Sequence, residues 1–382
     1  LIAGEVALSV VLLVLGGLLL RSFLELGRVE TGFDTERLIV LDVRLPESAY
    51  PDDERASAFY RSALENLAAI PGVLGSAAVS RLPLTGENEV NPVSPEGTTK
   101  PMLEQPIANV RYVSPDYFRV LGIPLRQGRS FRDDRAGPPA LILSQGLARQ
   151  LWPERAAVGL RARTGDEESP LLDVVGVVGD VRAIGLEAEP SFMAYVPFWQ
   201  DAPSEMSLIV RTALPPKVVA GSARAAIGRV DPDVPVARMR TMEEVVSSSV
   251  EARRFQVELV AAFAAAALLL ASLGIFGVVS YSVTQRRGEI GVRMALGATA
   301  RHVRLSVLRQ GMRPVAAGLG IGLGASVLLG RLVGSLLFGV GATDPVTLAG
   351  VPLVLLLVAS AACLLPAIRA SRLDPLPALR AE

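Results

Sequence analysis

The chain has 382 residues, 50% of them hydrophobic, and balances 38 basic against 38 acidic side chains. A mean hydropathy of +0.41 places it above ordinary soluble domains, and the even charge implies no nucleic acid or other polyanionic partner. One cysteine, Cys363, and one histidine, His302, rule out an internal disulfide and argue against thiolate or multi-histidine metal sites and histidine-based triads. No catalytic residue, cofactor or metal is expected.

In chain order, the first apolar run is Ala3 to Leu20, with Glu5 at its start. It is as short as a signal-peptide core, but it has no basic residues before it and no small-residue cleavage site after it. Arg21 to Leu26 continues the helical pattern, so a membrane anchor leading into a stalk is expected over residues 1–26. The missing initiator methionine reads as a piece of a longer protein.

The next stretch predicts an α+β domain outside the cytoplasm, residues 27–254, with its own core. Arg37 to Leu45 has the β-branched and aliphatic character of a strand. Pro51 and the acids Asp52, Asp53 and Glu54 suit a helix start, and that helix is expected to reach about Ile70. Val73 to Leu82 reads as the following strand. The pattern recurs as strand Ser207 to Arg211, helix Pro216 to Arg229 and strand Val234 to Arg240. Two β-α-β units bracketing an insertion predict a split, porter-like subdomain with an inserted, mostly β subdomain at about 110–200. Within the insertion, strands are expected at Pro139 to Leu143 and Leu171 to Val181. From Thr241 a helix is expected to run unbroken through Phe255 into the second span, its start marked by Thr241 and the acids that follow.

Residues 255–382 hold three more apolar runs. Leu259 to Gln285 and Val346 to Ile368 carry no charge, and Pro314 to Gly330 is uncharged before Arg331 interrupts. Each is long enough, or nearly so, for the roughly 20 residues a spanning helix needs. Arg331, Glu5 and Glu258 are placed at span ends, where snorkelling accounts for them. No ionisable residue is expected at the bilayer midplane, which argues against ion-coupled transport. In the third span, Gly318, Gly320, Gly322 and Gly324 offer small residues for close helix packing.

Orientation follows from arginine placement. Arg286, Arg287, Arg293, Arg301, Arg304, Arg309 and Arg313 face a single acid, Glu289, between spans two and three. Short loops with that bias face the cytoplasm, which puts both termini inside and the large domain outside. Gln285 to Thr299 has amphipathic helical spacing: Ile290, Met294 and Gly297 share one face, and Glu289 pairs with Arg293 at i,i+4 on another. The absence of a Gly-Lys-Ser/Thr sequence means no phosphate-binding loop of the P-loop kind, so the chain is not itself an ATPase.

The segment RRGEIGVRMALGA (residues 286–298) strongly resembles the cytoplasmic motif of the FtsX-like permeases. The ending LLPAIRASRLDPLPALRAE (364–382) resembles the close of the same family. VSPDYFRVLGIPLRQGRSF (113–131) and LARQLWP (147–153) are similar to the MacB-type periplasmic core domain. The resemblance implies a permease subunit of an ABC-type transporter, in the manner of the C-terminal half of a duplicated orphan permease, in a bacterial inner membrane. It implies that ATP hydrolysis by a separate cytoplasmic ABC ATPase moves the periplasmic domain. A coupling segment within 285–313 would meet that ATPase through Arg287, Glu289, Ile290, Arg293, Met294, Ala295 and Gly297. The expected neighbours are the ATPase, a second permease half or a second copy of the chain, and the lipid bilayer. A different reading of the same residues is a membrane-anchored sensor or scaffold whose outer domain binds a ligand and signals inward.

Overall fold

The computed structural model describes residues 2–86, 88–133, 137–296, 298–332, 334 and 337–371. Their contacts divide the chain into two units, residues 29–251 and residues 1–28 together with 252–382.

In the first unit, strands β1 (Leu38–Arg44) and β2 (Val73–Val79) flank helix α2 (Asp53–Ala68). The membrane helix α1 (Ile2–Leu26) precedes them and belongs to the other unit. Asp52 caps α2 by accepting a hydrogen bond from the Arg55 backbone N–H at 2.8 Å, and Asp53 and Glu54 lie in its first turn. Both features offset orphan N–H groups and the positive end of the helix dipole. Ala56, Phe59, Tyr60, Ala63 and Leu67 recur at helical spacing and are buried. The fully buried Tyr60 donates its hydroxyl toward the Pro203 and Ser204 carbonyls, both at 3.1 Å.

A late unit repeats the design with β10 (Glu205–Thr212), α5 (Pro216–Gly228) and β11 (Val236–Thr241). The two units interleave into a four-stranded sheet of order β11-β1-β10-β2, antiparallel throughout. This is the split β-α-β arrangement. Both helices lie on one face, over Ile39, Leu41, Val43, Met206, Leu208 and Val210.

Between them comes the insertion, which is larger than the sequence reading gave it. Strands β3 (Val90–Pro95), β4 (Ile107–Val113), β6 (Ala140–Ser144), β7 (Arg161–Thr164), β8 (Leu171–Val178) and β9 (Met193–Pro197) follow one another around a closed path. The order is β4-β3-β7-β8-β6-β9, and β9 pairs back onto β4 in parallel. A short β5 (Leu125–Gly128) adds to β8. Closure leaves those six strands without a free edge. Leu141, Leu143, Trp152, Val174 and Ala194 fill the interior, with Trp152 following helix α4 (Gln145–Leu151). Helix α3 (Tyr117–Leu121) brings Tyr117 and Phe118 against Tyr195. The strands from Val90 to Val113 were missed because Pro92, Pro95, Asn109 and Arg111 interrupt any apolar alternation. Arg111 is nonetheless buried, its guanidinium donating to the Val110 carbonyl at 2.9 Å.

Helix α6 (Met242–Ser249) starts with a full capping box: Thr241 accepts from the Glu244 N–H, and the Glu244 carboxylate accepts from the Thr241 N–H. Thr241→Ala removes the hydroxyl half, and a loss of about 1 kcal/mol of unfolding free energy is expected, read from the lowered denaturant midpoint of the domain. The expected continuous helix does not form. It breaks at Val250, whose φ of −110° and ψ of 6° leave the helical region, before α7 (Glu251–Gln285) begins. Ser248 and Ser249 each turn their hydroxyls onto the carbonyl three residues back, at 2.8 and 2.7 Å. Such side-chain bonding competes with the helical ladder.

Among its described residues the second unit contains four helices long and apolar enough to cross a membrane: α1, α7, α9 (Ala300–Leu332) and α10 (Pro345–Ser371). In α1, Val6, Val10, Val14 and Leu18 form an i,i+4 stripe that is essentially fully buried. That stripe, with Ile275 and Val279 of α7, Val315 of α9 and Leu355 and Ala359 of α10, makes the shared core.

Candidate functional site

Between α7 and α9 the chain forms a separate nine-residue helix, α8 (Arg287–Ala295). Arg286 leaves helical geometry at φ −103° and ψ 17°, so α8 is not a continuation of α7. The Arg286 carbonyl accepts from the Ile290 N–H at 2.9 Å. Ile290 and Met294, four residues apart, pack against the helix core. Ile290 also borders a cavity of about 190 Å³ shared with Val283, Val307, Gln310 and Pro314. Glu289 and Arg293 form an ion pair on the exposed side, a pairing worth only a few tenths of a kcal/mol at such exposure.

The structure therefore divides the coupling residues named from the sequence. Arg287, Glu289 and Arg293 are presented outward, whereas Ile290 and Met294 hold α8 to its own bundle. Ala295 ends the helix, and Gly297 lies outside the described residues. Val292 and Leu296, again four apart, are 43% and 82% exposed. The sequence reading passed over them. Their signal was available: a second apolar i,i+4 pair on a helix that needs only one such face for anchoring.

The third-span glycines also divide. Cβ atoms at Gly318 and Gly322 would lie 2.6 Å from the Ala3 carbonyl oxygen and 2.6 Å from Val10 Cβ. At Gly320 and Gly324 a Cβ would meet nothing within 4 Å. Gly311, also on α9, closes similarly on Cys363, at 2.7 Å from its sulfur.

At the far end of the bundle from α8, Arg21 of α1 forms an ion pair with Asp344, which is 8% exposed. The other Asp344 oxygen accepts from the Thr347 N–H and hydroxyl, both at 2.8 Å, and so caps α10. Burial opposes ionisation of Asp344, but the Thr347 hydrogen bonds and Arg21 hold its pKa below the usual carboxylate range.

Glu5 stands in the first turn of α1 and faces α7. Its carboxylate lies over Gly274 of α7, 2.4 Å from where a Cβ there would stand. Gly274 lies in the charge-free part of α7. One turn further along α1, the Ser9 hydroxyl donates to the Ala267 carbonyl of α7 at 3.1 Å. Among the described residues Glu5 has no ion pair or side-chain hydrogen bond. Ala3 and Val6, on either side of Glu5, meet Gly318 of α9, five residues past Arg313, so by α9 Glu5 lies within about 8 Å of the arginine-bearing end of the bundle.

Four apolar helices, a short amphipathic helix between the second and third, and a split β-α-β domain with a β insertion define a membrane permease with an extracytoplasmic domain. Residues 6–230 match the MacB-like periplasmic core domain and residues 261–375 the FtsX-like permease C-terminal domain. The chain belongs to the FtsX-like, MacB-type family of ABC transporter permeases. It is 27% identical over 294 residues to the ABC transporter permease YknZ of Bacillus subtilis, covering 73% of this chain and 71% of that one. It is 26% identical over 325 residues to a macrolide export ATP-binding/permease protein MacB of Paracoccus denitrificans. That match covers 80% of this chain and 46% of the relative, so the chain spans about half of the MacB protein's length. The solved periplasmic region of MacB from Actinobacillus actinomycetemcomitans aligns at 13% identity with a TM-score of 0.38, covering 57% of this chain and 94% of that one.

Proposed function

We propose that this chain is the permease subunit of an ABC-type complex in which a separate ATPase, seated on α8, drives movement of the extracytoplasmic domain. The observation that carries the proposal is the two-sided character of α8. Ile290 and Met294 anchor it to the bundle, while Val292, Leu296, Glu289 and Arg293 face away from it. A helix held on one side and bearing an apolar pair with flanking charges on the other is suited to transmit displacement from a docked protein. Seven arginines between residues 286 and 313 support a cytoplasmic position for α8 and both termini, where ATP is available.

The test is co-purification of the intact chain in lipid nanodiscs with a nucleotide-binding ABC subunit from the same genome, followed by ATPase measurement. Glu289→Arg and Leu296→Asp are each expected to weaken association about tenfold or more, since an interface apolar anchor or matched charge is worth at least about 1.4 kcal/mol. Binding of no such subunit by the intact chain, or unchanged association of both variants, refutes the reading.

A further inference from the structure

The four-stranded sheet covers only one face with α2 and α5. On its other face, Leu38, Val40 and Ile209 are fully buried. Further along the same strands the face turns polar. Register sets Arg238, Asp42 and Ser207 side by side across β11, β1 and β10, with neighbours about 5 Å apart. Because side chains alternate, Arg240 and Glu205 point to the same side two residues along their strands.

These residues, with Arg81 from the segment after β2, line a cavity of about 230 Å³. Part of its polarity is satisfied internally. Asp42 accepts from the Ser207 hydroxyl at 2.7 Å and from Arg240 at 3.1 Å. The remainder is not. The Nε of Arg240 is buried without a hydrogen-bond partner. Arg238 and Glu205, opposite in sign and bordering one cavity, form no ion pair with each other or with any other described residue. The Arg240 Nε departs from the usual satisfaction of buried polar groups, while Arg238 and Glu205 are exposed to solvent at the cleft. A cleft holding an unspent cation and an unspent anion is complementary to a molecule carrying both charges.

We propose that this cleft binds a small zwitterion of the amino-acid or dipeptide kind, with its carboxylate on Arg238, backed by Arg240, and its ammonium group on Glu205. The cleft, of about 230 Å³, is compact and suits a ligand of dipeptide size. The site lies wholly within the extracytoplasmic domain and does not depend on α8 or an ATPase.

The test titrates the full chain in lipid nanodiscs with L-alanyl-L-alanine by calorimetry, beside its N-acetyl and C-amide forms. Saturable binding is expected, weakened about tenfold or more when either charge of the peptide is removed, the change expected from losing one charge-assisted contact. Arg238→Ala and Glu205→Gln, both at exposed positions, should each give the same loss with unchanged melting temperature, while Arg126→Ala should bind normally. No binding of the dipeptide overturns the proposal. So does equal binding of its acetylated or amidated form, a comparison made on the unaltered chain.

Discussion

Gly318→Leu is expected to dismantle the packing of α1 on α9 and to destabilise the helix bundle by about 3 kcal/mol or more. Even one methyl group at Gly318 would stand 2.6 Å from the Ala3 carbonyl oxygen and 2.8 Å from Val6 Cβ. Neither neighbour is the far end of a flexible side chain. Relief requires the two helices to separate, and separation uncovers the Val6–Val10–Val14 stripe. Within a bilayer no hydrophobic driving force between helices makes up the loss, because lipid tails are as apolar as the residues they would meet. Gly322→Leu should behave alike, with Val10 Cβ and the Ala7 carbonyl at 2.6 and 2.8 Å. Gly320→Leu is the internal control and should stay within about 0.5 kcal/mol of the parent. Unfolding in mixed micelles with rising SDS measures all three. A Gly318→Leu chain as stable as Gly320→Leu would contradict the packing described.

Arg21→Leu is the second large effect expected, about 2 kcal/mol of destabilisation in the same assay. Removing the cation leaves the Asp344 carboxylate, 8% exposed, with the Thr347 hydrogen bonds alone. Stranding a buried partner costs about 3 to 5 kcal/mol, but Arg21 keeps 36% of its side chain exposed, and solvent screening reduces its share. The double variant Arg21→Leu with Asp344→Asn should recover part of the loss, since the amide strands no charge and still accepts from Thr347. A single variant costing under about 0.5 kcal/mol would show that the pair is incidental.

The secondary structure most legible in the sequence is that with strong local causes. Asp52 and its following acids, Thr241 with Glu244, and the charge-free runs of α7 and α10 each define an element from within a dozen residues. The chain failed to advertise β3 and β4 because their burial comes from closing a six-strand ring, a long-range event that tolerates Pro92 and Arg111. The break at Val250 was hidden for another reason. Serine hydroxyls bonding their own helix compete with the ladder only slightly, and helical pattern counting does not register them.

Within the candidate site, charge and spacing on α8 were readable, but which apolar pair faces the bundle was not. Both Ile290–Met294 and Val292–Leu296 satisfy helical spacing, and only the position of α7 and α9 selects the first as the anchor. Glu5 makes the same point. Its position in the sequence puts it in the first turn of α1, and only the packing of α1 on α7 shows that it faces Gly274.

What the sequence by itself determined is therefore the membrane character of the chain, the split α+β plan of its outer domain and its permease family. Those follow from hydropathy, propensity and local motifs, which act over one or two turns. Only the tertiary structure decided which glycines pack, which face of α8 is free, that Glu5 faces Gly274, and that Arg238 and Glu205 border one cleft. Each of these depends on residues far apart in the chain being brought within a few ångströms, where steric overlap and charge act.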